Sequence, residues 1–219
     1  MKLSTLALAL GMAFSSSAFA ASAIWNSATP WGTDTTSSFA QWSAINTTND
    51  TTPDAGFSGA TSASLRETSG NGFVTGGGLG GNIYSYTGTT TFTTTLGVAA
   101  TTGLFDVYLR IGTIGEVAST TATLNGTSAT SVVWNGGAVD GPFGGAAQEV
   151  YWKWEDVAAS TLYTFNFAAI GPHMSLDQVA LATVAVPAVT PVPEPEAFSM
   201  MALGLGLMAF VARRSSKKA

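Results

Sequence analysis

From Leu104 to Ile111 the chain alternates: Phe105, Val107, Leu109 and Ile111 fall on one side of an extended backbone, Asp106, Tyr108 and Arg110 on the other. Successive strand side chains point to opposite faces, so a period of two marks a strand with one face in a core. Between residues 21 and 196 no apolar period of 3.6 runs to useful length. The same alternation recurs from Glu149 to Glu155, where Val150, Trp152 and Trp154 oppose Tyr151 and Lys153. It recurs from Thr161 to Ala168, which groups Tyr163, Phe165 and Phe167, and Met174 to Thr183 is a further strand. Weaker, Thr-rich runs lie at Ile83–Thr87, Thr90–Leu96, Val117–Leu124 and Thr130–Trp134, and β-branched Thr suits a pleated surface. Asn125-Gly126 and Asn135-Gly136-Gly137 stand where hairpin turns are needed. About eight short strands with such turns predict an all-β fold of antiparallel strands, a β-sandwich or a barrel. The strands are too short and Thr-rich for an outer-membrane barrel.

Residues 21–80 are less regular. The glycine-rich stretch 70–81 lacks a Lys-Ser/Thr end and a strand-to-helix setting, so it reads as a flexible loop and not as a phosphate cradle.

Charged residues make up only 10% of the chain, against about 25% in ordinary domains. There is no cysteine, which excludes disulfides, a thiolate nucleophile and Cys-ligated zinc. Charge is also unevenly placed. Residues 21–196 hold three bases, Arg66, Arg110 and Lys153, and all 13 acids, a net of −10. Such a segment repels phosphate backbones, so nucleic acid is not an expected partner.

The two ends are different in kind. Met1-Lys2-Leu3, an apolar run from Leu6 to Phe14 and the small-residue site Ala18-Phe19-Ala20 have the layout of a signal peptide. Cleavage is expected after Ala20. At the other end Val192-Pro193-Glu194-Pro195-Glu196 precedes 16 uncharged residues, 197–212, and then Arg213-Arg214-Ser215-Ser216-Lys217-Lys218. As a helix the uncharged run reaches about 24 Å, slightly less than a bilayer core of about 30 Å. Local thinning and snorkelling Arg and Lys side chains can make up the difference. The basic cluster keeps the C-terminus cytoplasmic and the rest outside.

Pro193, Glu194 and Pro195, the short Gly/Leu/Met/Ala helix and the basic end with Arg213 and Arg214 together resemble the PEP-CTERM sorting signal of Gram-negative bacteria. That resemblance implies recognition by an exosortase, a membrane-embedded transpeptidase-like enzyme, and removal of the tail. An ordinary single-pass anchor is the other reading of the same residues. Within the cargo, Gly81–Tyr86, Val107–Thr113, Trp152-Lys153-Trp154 and His173–Val179 resemble the ectodomains of many PEP-CTERM proteins. The last three pieces are loosely similar to jelly-roll carbohydrate-binding modules. The likeness implies a galactose-binding-like jelly roll and does not by itself imply sugar binding.

Catalytic signals are weak. His173, Ser175 and Asp177 lie on one face of a strand, whereas a triad needs its groups to converge from different elements. The only histidine cannot build a multi-histidine metal site. Asp106, Glu149, Glu155, Asp156 and Asp177 are the acids available for glycoside hydrolysis, and none sits in a pocket motif. Asp177 is the candidate oxygen ligand for a structural calcium. Sugar rings stack on exposed aromatics, which makes Tyr108, Arg110, Trp152 and Trp154 candidate glycan-binding residues, with Tyr84 and Tyr86 as further platforms. Trp152 and Trp154 share the face of Val150, which favours core packing for them, and Tyr108, on the face of Asp106 and Arg110, is the better ligand candidate.

The chain is thus expected to comprise a signal peptide (1–20), a β-sandwich ectodomain (21–183), a Pro-rich stalk (184–196) and a sorting signal (192–218) with a transmembrane helix at 197–212. The expected product is a non-enzymatic cell-surface or matrix protein, anchored transiently in the inner membrane, sorted by an exosortase-type enzyme and associated with exopolysaccharide and biofilm. A secreted polysaccharide hydrolase and a structural surface protein with no ligand are the alternatives.

Overall fold

The computed structural model describes residues 29–76, 81–99, 102–137, 147–188 and 195–215. The signal segment 1–20 and residues 189–194 of the expected stalk lie outside them. The chain forms two compact units, the first ending at Val186 and the second beginning at Pro187.

The first unit is two antiparallel sheets. The smaller contains β2 (Asn49–Asp50), β4 (Ala60–Glu67), β7 (Thr91–Val98), β9 (Thr123–Leu124), β10 (Thr127–Ser128) and β13 (Leu162–Ala168), in the order β10-β9-β13-β7-β4-β2. The larger contains β1 (Thr36–Trp42), β3 (Gly56–Ser58), β8 (Leu104–Gly115), β11 (Ser131–Gly137), β12 (Ala147–Ala158) and β14 (Met174–Ala185), in the order β11-β12-β8-β14-β1-β3. Two short strands complete it: β6 (Asn82–Tyr84) pairs with the start of β14, and β5 (Phe73–Thr75) pairs with β6.

The alternation seen in the sequence builds the core. Phe105, Val107, Leu109 and Ile111 of β8 and Val150, Trp152 and Trp154 of β12 meet Tyr163, Phe165 and Phe167 of β13 and Phe92 and Leu96 of β7. Aromatic rings cross the gap between sheets. Trp152 lies 6.1 Å from Phe167, which stacks on Phe92 at 4.9 Å, and Trp154 meets Phe165 edge-on at 5.6 Å. Both indole N–H groups donate to carbonyls of the segment that closes this side, Trp152 to Thr120 and Trp154 to Thr127. Most buried indoles find such a partner.

Several expectations change. Residues 29–76 contain β1 and β4, two long strands where the sequence looked irregular. Each strand has one large core residue, Trp42 and Leu65, while Ser38, Ala40 and Ala63, buried on the same faces, are small, so apolar periodicity is faint there. Part of the glycine-rich stretch is strand as well, since it contains β5. Val117–Leu124 is mostly not a strand; it holds a bridge at Ala118 and the two residues of β9. Asn125-Gly126 does turn, with φ values of 50° and 85°, and joins β9 to β10 through a two-residue loop. Asn135, Gly136 and Gly137 do not: they pair with Glu149, Gln148 and Ala147 inside β11. The expected stalk also starts late, because β14 runs to Ala185 and the Val186 N–H donates to Leu104.

The second unit holds one helix, α1 (Pro195–Ser215), with Arg213 and Arg214 in its last turn, where cations suit the helix dipole. Pro195 fits the first helical position, whose N–H needs no partner. Met200, Met201, Leu203, Leu205, Leu207, Met208 and Phe210 are all exposed. No helix among the described residues is long and apolar enough to cross a membrane.

Candidate functional site

The outer face of the larger sheet carries the polar chemistry, and strand parity decides who stands there. On β8 and β12 the residues out of phase with the core are Asp106, Tyr108, Arg110, Glu149 and Lys153. Arg110 Nε sits 2.5 Å from Glu149 Oε1, with both side chains almost wholly buried. Removing either partner of such a pair strands the other charge out of water. Lys153 Nζ bridges Asp106 at 2.7 Å and Glu155 at 2.9 Å, and lies 5.7 Å from the Tyr108 ring centroid, close enough for a cation–π contact. Burial lowers the Lys153 pKa, but hydrogen bonds to Asp106 and Glu155 outweigh it, and the net shift is upward. Burial raises the Tyr108 phenol, with Lys153 opposing.

These positions revise the aromatic candidates. Tyr108 is on the predicted face but is only 4% exposed, because Trp31 from the segment before β1 packs edge-on against it at 6.0 Å with Phe39 alongside. Arg110 is engaged with Glu149 beneath the surface. Trp152 and Trp154, 0% and 2% exposed, are core residues and offer no surface platform.

Towards the β5–β6 end the same face becomes a hydroxyl and amide chain. Thr75 donates to Asn82, Asn82 donates to Ser175, and Ser175 Oγ lies 3.4 Å from Asp177 Oδ1. Asp177 is the extra residue of a β-bulge, since Leu176 pairs with Thr113 and Gln178 with Gly112. The bulge shifts the core parity of β14 from Met174 and Leu176 to Val179 and Leu181. It also leaves Asp177 Oδ2 buried with no hydrogen-bond partner. Burial pushes the carboxyl up to about 7, and the bonds from Ser175 and Asn82 only partly offset this. Among the described residues no three His, Asp or Glu side chains converge to hold a metal.

His173 and Ser175 are not brought together as a catalytic pair. His173 Nδ1 bonds the Tyr84 hydroxyl at 2.7 Å, and Ser175 is bonded to Asn82. Around His173 stands a group that sequence reasoning saw only in part. Tyr84 and Tyr86 are joined by Phe73, which lies within 6.0 Å of Tyr84 and 5.3 Å of Tyr86. The strand signal of Phe73-Val74-Thr75 was hidden by the glycines on either side.

Comparison with known proteins bears on the second unit. The family model described as the PEP-CTERM protein-sorting motif matches residues 191–215. No curated protein and no solved structure matches the chain. Of the motif residues, Pro193 and Glu194 lie outside the described residues, while Pro195 opens α1 and Arg213 and Arg214 close it. The chain therefore carries at its C-terminus the PEP-CTERM protein-sorting motif, the mark of an exosortase-sorted extracellular protein.

Proposed function

We propose that this is a non-enzymatic cell-surface or extracellular-matrix protein, held briefly in the inner membrane by α1, released by an exosortase-type enzyme and associated with exopolysaccharide. The observation that carries the proposal is the sorting motif at residues 191–215, whose Pro-Glu-Pro box, helix and basic end stand in order. The uncharged core of the helix is short, and Arg213 and Arg214 snorkelling to the interface would complete the span. We take the β-sandwich to be of the jelly-roll, galactose-binding-like kind.

Several polar side chains already engaged with one another support the non-enzymatic reading. The sole histidine is bonded to Tyr84, Glu149 is paired with Arg110, and Asp106 and Glu155 share Lys153.

Mass spectrometry of the mature protein tests the sorting. The expected product begins at Ala21 and ends near Glu194. A mature chain that retains Arg213 and Arg214 would show a plain anchor and overturn the proposal.

A further inference from the structure

The aromatic group at the β5–β6 end of the larger sheet is built as a unit. Phe73 and Tyr84 are a cross-strand pair, Tyr84 in turn pairs with Ser175, and His173 precedes Ser175 by two residues. Tyr86 stacks on Phe73, with 29° between the rings, and meets Tyr84 edge-on at 4.9 Å. These are contacts of a small core, yet Tyr86 is 62% exposed and Phe73 39%.

The loops that present the rings are fixed. The Ser85 hydroxyl donates to the Gly88 carbonyl, and Asn71 Nδ2 donates to Thr89 O, tying the Tyr86 loop to the segment before β5. The His173 N–H donates to Ser85 O, and its carbonyl accepts from Glu116 N. His173 holds φ at 71°, a left-handed value that costs a non-glycine residue on the order of 1 kcal/mol. That conformation keeps its imidazole on the Tyr84 hydroxyl. Rings held this firmly lose little freedom when a ligand arrives.

We propose that Phe73, Tyr84, Tyr86 and His173 form a binding site for an uncharged sugar ring of a polysaccharide. This rests on the reading of the protein as a partner of exopolysaccharide and names the site and the ligand class. A pyranose offers a flat face of C–H groups that packs on Tyr86 and Phe73, while Tyr84 and His173 supply polar atoms for ring hydroxyls. Charge argues for a neutral sugar. Residues 21–196 carry a net −10, and of their three bases Arg110 and Lys153 are held in ion pairs while Arg66 lies on β4 in the other sheet. An acidic glycan would be repelled and would find no cation beside the rings. Nucleic acid bases could stack here, but their phosphates meet the same repulsion.

The test uses the exported protein recovered from cells, applied to insoluble cellulose, starch and galactan as neutral polymers and to alginate gel as an acidic one. Retention on at least one neutral polymer and none on alginate is expected. Tyr86→Ala and Phe73→Ala should each reduce that retention about tenfold or more, and Tyr86→Phe should keep it. Phe57→Ala, which removes an aromatic of similar exposure from β3, should leave it unchanged. Melting curves of Tyr86→Ala that overlay the wild type would show that the loss is not unfolding. The site is overturned if no neutral polymer is retained, if alginate is retained equally, or if both alanine variants bind like the wild type. A mature chain ending near Glu194 that binds no neutral polymer sinks the site alone, whereas retained Arg213 and Arg214 sink the sorting proposal and leave the binding assay to decide the site.

Discussion

Asp177 shows how one residue can set a pH response. The bulge in β14 removes it from the regular alternation and buries an oxygen that nothing bonds. Its carboxyl titrates near pH 3.8 when unfolded and at about 7 when folded, so the folded protein binds more protons between those values. Stability must then fall as pH rises through that window and level off above it, by an amount on the order of a few kcal/mol. Asp177→Asn removes the titration while keeping the shape. Its thermal unfolding midpoint should exceed the wild type's at about pH 8 and match it more closely at about pH 4. A variant whose stability still falls as steeply over this range would assign the effect to another group. Trp152 is the opposite case, fully buried and fully satisfied. Trp152→Ala should cost about 3–5 kcal/mol, readable as a shift in urea midpoint, because it empties a large volume and leaves the Thr120 carbonyl unpaired. The burial of Trp152 was legible, since it shares its parity with Val150 and Trp154. The burial of Tyr108 was not. Periodicity tells which face a side chain takes, and says nothing of Trp31 arriving over that face from a distant part of the chain.

At the scale of elements, two glycines with nearly the same φ should behave differently. Gly126 (φ 85°) closes the β9–β10 turn, and a Cβ there would meet nothing within 4 Å. Gly126→Ala pays only for the left-handed conformation, about 1 kcal/mol. Gly115 (φ 88°) ends β8, and a Cβ there would stand 2.4 Å from the His173 carbonyl oxygen. Backbone cannot yield as a flexible side chain can, so Gly115→Ala should lower the melting midpoint well beyond Gly126→Ala. It should also push His173 away from Tyr84 and weaken retention on a neutral polysaccharide. Equal melting midpoints for the two variants would contradict this account. Only one of these roles was visible in advance. Asn-Gly announces a turn at residues 125–126, but the same letters at 135–136 run inside β11, where Gly136 faces Gln148. Glycine's freedom permits a turn without requiring one. Likewise β1 and β4 were obscured because a strand that packs Ser38, Ala40 or Ala63 against larger neighbours needs few large apolar residues of its own.

For the whole molecule, the order of the chain and the order of the sheet are at odds in a useful way. β14 is the last strand of the first unit, yet it lies inside the larger sheet, between β8 on one side and β1 and β6 on the other. Val179 and Leu181 reach the core from it, and without it the sheet is split. Buried strand edges with unpaired N–H and C=O groups are costly, so the first unit cannot close on its own from the residues before β14. A chain ended after residue 178 should therefore give no cooperative unfolding transition. A chain ended after residue 188 keeps every pairing of both sheets and the bond from Val186 to Leu104, and should melt within about 2 °C of the mature protein. A larger fall would mean that residues after 188 help to hold the fold together. If the two chains behave as expected, an N-to-C export route completes the β-sandwich only when β14 has emerged, a few residues before the sorting motif at 191–215. The cargo would then be folded by the time its tail is exchanged, and cleavage near Glu194 would release a finished domain without cost to its stability.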